Sequence, residues 1–209
     1  MNFPTKFSFV LVAFFFSQSI FAQVLTEQKG SEQIHGVTLA TTVTTNENTT
    51  LHLIGAGLRS KKVVFVNVKV YVAELFAADM AKFQKKEALK TAVDAAPLAI
   101  QLHFLRDVDA GKVQSSFKEA LETNKVDLKK PEIQKFLDAT KNGEAKEGKT
   151  LTILATKKTD GSESVTYEDS NLKATTVSGG PGFIQDIFSI WLGHPSDDGI
   201  AQLKTELLK

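Results

Sequence analysis

The sequence predicts an α+β fold, an antiparallel β-sheet with a layer of α-helices on one face. Three observations predict it. Runs rich in β-branched residues cluster between residues 37 and 72 and return between 98 and 177. The pair Asp160-Gly161, a strong signal for a tight hairpin, joins two of the later runs. The densest helical stripes fall after Gly111 and at the C-terminus, instead of alternating regularly with strands as a parallel sheet requires.

The chain opens on an export signal. Lys6 precedes the apolar run Phe7 to Phe16, which is shorter than the ~20 residues needed to span a bilayer. The small residue Ala22 follows, just before Gln23, so residues 1–22 read as a cleavable signal peptide. The expected location is therefore the bacterial periplasm or the medium. Of 209 residues, removing 22 leaves 187, read as a single domain over 23–209. One lysine and no acid leave with the signal, so 24 basic residues face 24 acidic ones. A balanced chain argues against nucleic acid as partner, since phosphate binding needs clustered cations. Cysteine is absent, which excludes disulfides, thiolate metal sites and cysteine nucleophiles. No later run is long and apolar enough to be a transmembrane helix.

Gln23 to Gln33 is polar and reads as a loose lead-in, and Val37 to Thr45 as a strand. Leu51 to Phe76 reads as two strands joined by a turn at Gly55-Ala56-Gly57, which delivers Arg59 beside an apolar core. In the second strand Val64, Val66, Val68, Val70 and Val72 alternate onto one face, expected to be buried, with Phe65, Asn67, Lys69 and Tyr71 opposite. Asp79 to Ala95 has helical composition but poor apolar spacing, and Pro97 ends it. Leu98 to Leu105 is a strand. Val113, Phe117, Ala120 and Leu121 take helical spacing with Asp109 as cap. A short helix follows Pro131, carrying Ile133, Phe136 and Leu137. Thr150 to Thr156, Ser164 to Tyr167 and Asn171 to Val177 are strands. Phe183 to Leu192 is a dense helical stripe stopped by Gly193, and a last helix begins at Ser196 with Ile200, Leu203 and Leu207 inward.

Chemistry-bearing motifs are few. His35, His52, His103 and His194 lack paired ligand spacing, so no metal site is expected, and His52 and His103 read as structural. The Gly-Ala-Gly at 55–57 leads into a strand, not the helix a phosphate or dinucleotide site requires, and no cofactor is expected. Carboxylate pairs such as Asp197-Asp198 are explained by capping. Trp191 sits in the apolar stripe of its helix. Arg106 is a second cation at a strand end. Arg59 offers a planar, permanently charged fork for a carboxylate or phenolate.

Four stretches in order, GAGLRSK (55–61), VKVYVAELF (68–76), IQLHFLRDVDAGKV (100–113) and FIQDIFSIWLG (183–193), resemble the chalcone isomerase family, particularly its bacterial chalcone isomerase-like branch. The resemblance implies an open-faced sandwich of sheet and helices with a cleft between them. Plant enzymes of the family close chalcones to flavanones, other plant members bind fatty acids, and some have no enzymatic role. The family's catalytic arginine falls on Arg59. Its tyrosine and lysine partners fall near Val113 and Ser116, and its strand threonine on Val66. Without those hydrogen-bonding partners chalcone cyclisation is not expected, because losing preorganised donors costs orders of magnitude in rate. The expected partner is a small apolar or carboxylated molecule, fatty-acid-like, with Arg59 at its head and Val66, Val68, Val70 and Phe104 along its tail. Two alternatives stand beside it. One is an intramolecular lyase or isomerase acting on an enone or phenolic substrate through Arg59. The other is a ligand-free interaction module with Phe104, Phe117 and Phe188 packed into the cleft. The sequence specifies no oligomeric state.

Overall fold

The computed structural model describes residues 23–209; the expected signal peptide lies outside them. Eight antiparallel strands run in chain order across one curled sheet: β1 (Leu25–Ile34), β2 (Val37–Thr45), β3 (Thr50–Val63), β4 (Val66–Ala77), β5 (Leu98–Phe104), β6 (Thr150–Lys157), β7 (Glu163–Glu168) and β8 (Ala174–Gly179). Five helices complete the α+β fold: α1 (Ala88–Thr91), α2 (Ala110–Thr123), α3 (Pro131–Ala139), α4 (Phe183–Leu192) and α5 (Asp198–Leu207).

Alternation along the central strands divides the molecule into two cores. Leu75, Ile100, Leu102, Leu151, Ile153 and Val165 face the helices and pack with Phe117, Phe136, Phe188, Trp191 and Leu203. Phe76, Ala99 and Leu154 face the other way and meet Leu25, Ala40, Val43 and Leu51. The curl brings β1 and β2 over that second face: the Ala40 amide donates to Glu74 at 2.6 Å and the Val24 amide to Glu168 at 2.8 Å.

The residues expected as a loose lead-in form β1, hydrogen-bonded to β2. It is an edge strand carrying Glu27, Lys29 and Glu32, mostly exposed, so no apolar alternation marks it in sequence. Gly55-Ala56-Gly57 is not a turn. β3 runs straight through it, and the reversal comes at Val64-Phe65, where Val63 pairs with Val66. The valine face expected to be buried is consequently split: Val64 and Val66 are exposed at the hairpin tip, and Val72 is fully buried. The glycines serve close approach instead. α5 lies directly on them: a Cβ on Gly55 would collide with the backbone of Leu207, and one on Gly57 would sit 2.6 Å from the Glu206 Cβ.

Of the helix expected over Asp79 to Ala95, only Ala88–Thr91 is α-helical, as the missing apolar stripe would suggest. α2 is capped by Asp109, whose carboxylate accepts from the Gly111 amide at 2.9 Å. β8 begins later than expected because Asp169 accepts from the amides of Asn171 and Lys173 at 2.8 and 3.0 Å, holding that segment as a turn. The cap of α5 is Asp197, not Ser196.

Candidate functional site

Arg59 lies near the open end of β3, directly across from Tyr71 on β4. The register slips here: Arg59 pairs with Tyr71 and Ser60 with Lys69, so Val70 is an extra residue on β4. Such a bulge re-aims the side chains beside it. Val68, Val70 and Tyr71 thus all line one cavity, although strict alternation places Tyr71 opposite the valines. The cavity, about 920 Å³, lies between the sheet and α2 and reaches the start of α5. Leu102 and Phe104 line it from β5, Val113, Phe117 and Ala120 from α2, and Ile200 from α5.

Its polar end is built around the Arg59 guanidinium, which is buried at 7% exposure. Nη2 donates to the Asp197 carboxylate at 2.6 Å and Nη1 to the Ser60 carbonyl. Asp197 also caps α5, its other oxygen accepting from the Ile200 amide at 2.9 Å. Burial alone would raise the Asp197 carboxyl; the Ile200 amide and the Arg59 charge outweigh it and hold it below the usual carboxylate range. The arginine therefore already has a carboxylate. Gly199 makes the pairing feasible, since a Cβ there would collide with the Ser60 carbonyl and the guanidinium itself.

The Tyr71 hydroxyl accepts from the Trp191 indole N–H at 3.2 Å. Burial pushes the phenol up, against the opposing pull of Arg59, so at neutral pH it is a proton donor and not a phenolate. Phe104 and Trp191 fix the two sides of this group. Phe104 stands edge-on to Tyr71 with ring centroids 5.4 Å apart, and Trp191 stands edge-on to Phe117 at the same separation.

At the rim stand Lys61, Arg106 and Lys112, none of them ion-paired among the described residues. The rim acids Asp107 and Asp109 are engaged, Asp107 accepting from the Glu147 amide at 2.8 Å and Asp109 capping α2. Arg106, weighed in sequence as a surface cation, belongs to this rim.

Arg59, Val68, Val70 and Phe104 thus line the cavity, while Val66 stands at the hairpin tip outside it. Val113 and Ser116 also line it, with no tyrosine or lysine at either position. Phe104 and Phe117 form walls without filling the space, and Phe188 is buried in the core away from it. Alternation alone sets Tyr71 aside as opposite the valines, and the role of Asp197 at Arg59 is missed. The bulge that brings Val68 and Val70 to the face of Tyr71 leaves no mark in the alternation pattern, and Asp197 reads as a helix cap, which it also is.

On the opposite face, His103 is held between the Glu74 carboxylate and the Thr150 hydroxyl, the latter at 3.1 Å. It borders a second hollow of about 720 Å³ rimmed by His35, Lys69 and Glu147.

A model of the chalcone isomerase-like family matches residues 31–209. Among solved structures, a fatty-acid binding protein of Arabidopsis thaliana aligns at 16% identity with a TM-score of 0.48, covering 80% of this chain and 95% of its own. No curated protein matches the sequence.

Proposed function

The chain belongs to the chalcone isomerase-like family, and from that membership and the shape of its cavity we propose that it is an exported binding protein for an apolar molecule with an acidic head, of the fatty-acid kind. The observation that carries the reading is the cavity itself: about 920 Å³ of mostly apolar wall with one buried guanidinium and a phenol at its inner end. Ligand sites commonly have this volume and this ratio of apolar surface to a few placed polar groups. The acidic head would lie against Arg59 and Tyr71, taking the hydrogen bonds that Asp197 and Ser60 leave free. Lys61, Arg106 and Lys112 would draw it to the rim.

The test uses delipidated protein and a series of saturated fatty acids. Thermal stabilisation that grows with chain length and then stops, and that Arg59→Ala reduces, supports the reading. No shift with any acid, and no difference on replacing Arg59, overturns it. Export through residues 1–22 is tested by sequencing the N-terminus of protein recovered from a periplasmic fraction, where Gln23 is expected first.

A second reading is favoured by one observation, the presence of Tyr71 in the cavity as a hydroxyl beside Arg59. A cation and a proton donor at one end of an apolar cavity can polarise a carbonyl, as a lyase or isomerase of enones or phenols would. Turnover abolished by both Arg59→Lys and Tyr71→Phe would identify that activity, because lysine lacks the planar fork.

A further inference from the structure

The β3–β4 hairpin projects an apolar tip into solvent. Val63, Val64, Phe65 and Val66 are 53%, 77%, 91% and 64% exposed, and no other exposed large apolar residues among those described are contiguous. Four such residues in a row at a turn are costly to leave in water. The backbone adds a second oddity: Val64 has φ +55°, a left-handed conformation that a β-branched residue rarely takes and that hairpins usually give to Gly or Asn. The tip carries charge of one sign only. Between Leu58 and Ala73 there is no acidic residue, whereas Arg59, Lys61, Lys62 and Lys69 all fall there, in a chain whose total charge is close to zero. Lys61, Lys62 and Lys69 are exposed.

The hairpin is also continuous with the cavity. Lys61 and Val63 on β3, and Val68 and Val70 on β4, line it, so the apolar tip extends its wall outward. We propose that this tip docks the protein onto an anionic lipid bilayer, with Val64 and Phe65 entering the acyl boundary and Lys61 and Lys62 against the headgroups. Docking presents the cavity opening to the membrane, where a fatty acid would enter or leave; this last clause rests on the binding function proposed above. A protein partner fits less well. Stable protein interfaces use roughly 20–30 residues a side, and four apolar residues on a narrow hairpin supply only a fraction of that. A basic collar around a small apolar wedge is instead what an anionic membrane surface recognises.

The experiment is cosedimentation of residues 23–209 with vesicles of phosphatidylcholine alone and of phosphatidylcholine with phosphatidylglycerol. The wild type is expected to sediment with the anionic vesicles and to be released by salt. Lys61→Gln with Lys62→Gln should weaken partitioning by roughly five-fold per lysine removed. Val64→Asn with Phe65→Ser should abolish it. Asn tolerates positive φ, so this variant is expected to fold at least as well at the turn. Dodecanoate titrated from solution should bind that variant as it binds the wild type, which separates docking from the cavity. Vesicle binding that depends on the tip without any dodecanoate binding would support docking and overturn the cavity reading. Failure of the wild type to sediment with anionic vesicles, or equal sedimentation of the tip variant, overturns docking. So does a self-associated wild type, seen by sedimentation velocity, that the tip substitutions dissolve.

Discussion

Arg59 and Tyr71 are cross-strand partners on β3 and β4 and share one face of the sheet, and the extra residue Val70 beside them brings Val68 and Val70 to that same face. The relationship joins backbone irregularity to site chemistry. Tyr71 keeps the alternation of Ala73, Leu75 and Ala77, which face the helices, whereas Val68 and Val70 would point the other way in a regular ladder. The bulge gives the cavity the apolar wall of Val68 and Val70 beside its hydrogen-bond donor, with no change in sequence that a periodicity argument could detect.

Tyr71→Phe removes the acceptor of the buried Trp191 N–H. Leaving that donor unpaired should cost about 1–3 kcal/mol. For a domain of this size that is about 2–4 °C in Tm per kcal/mol. Calorimetry of the two proteins checks it, and retention of the native Trp fluorescence maximum would show that the aromatic cluster persists.

Asp197→Asn keeps a side chain able to cap α5 but removes the charge that occupies Arg59. A ligand carboxylate then no longer competes with an internal one. Affinity for dodecanoate should rise, while affinity for the uncharged dodecanol should hardly change. The same substitution alters the acid limb of stability. Asp197 is held below its ordinary value in the folded protein, so it contributes stability above the unfolded value that is lost as pH falls through the folded one. Denaturant titrations from neutral to acid pH should show a shallower loss for the variant.

Glu168 behaves in the opposite sense. Burial raises it, with the Val24 amide opposing. The protonated form is favoured on folding, so its contribution is fully present below the usual carboxylate value and declines as pH rises through the raised one. Glu168→Gln, neutral throughout and still able to accept from Val24, should be the more stable protein at neutral pH. Chemical denaturation across the same range measures the crossing.

Gly55 and Gly199 face backbone atoms of the element packed on them, and Gly57 faces the Glu206 side chain. Backbone yields little, and the Glu206 Cβ that Gly57 meets at 2.6 Å is held as firmly as the helix backbone. Gly55→Ala, Gly57→Ala and Gly199→Ala should therefore each lose about 1–3 kcal/mol. Gly199→Ala should also weaken dodecanoate binding, because it displaces the guanidinium it touches. Thermal melts and titrations of the three variants check both outcomes.

Much of this fold is legible in sequence. Asp109, Pro131, Asp160-Gly161 and Gly193 each act locally, and the turn, cap or stop predicted from each is where the structure has it. The misreadings share a cause. The Gly55-Ala56-Gly57 run reads as a turn because glycine bends, but here it stays within β3 and a helix from the far end of the chain lies on it. β1 is polar because it is an edge, and polarity reads as a loop. The exposed Val64 and Val66 obey an alternation that normally signals burial, while the true reversal occurs within that run. The site follows the same rule. Arg59 is visible because it follows a glycine-spaced run beside an apolar core. Its pairing with Asp197, 138 positions away, is a property of the folded chain alone.

The central claim is that the cavity takes a carboxylate head at Arg59. Isothermal titration of delipidated protein with dodecanoate and dodecanol tests it most directly, in the wild type and in Arg59→Met. Saturable binding of one dodecanoate per chain, weaker binding of dodecanol, and loss of that preference in the variant are expected. Equal affinity for acid and alcohol in the wild type, or a preference that survives the loss of Arg59, would contradict it.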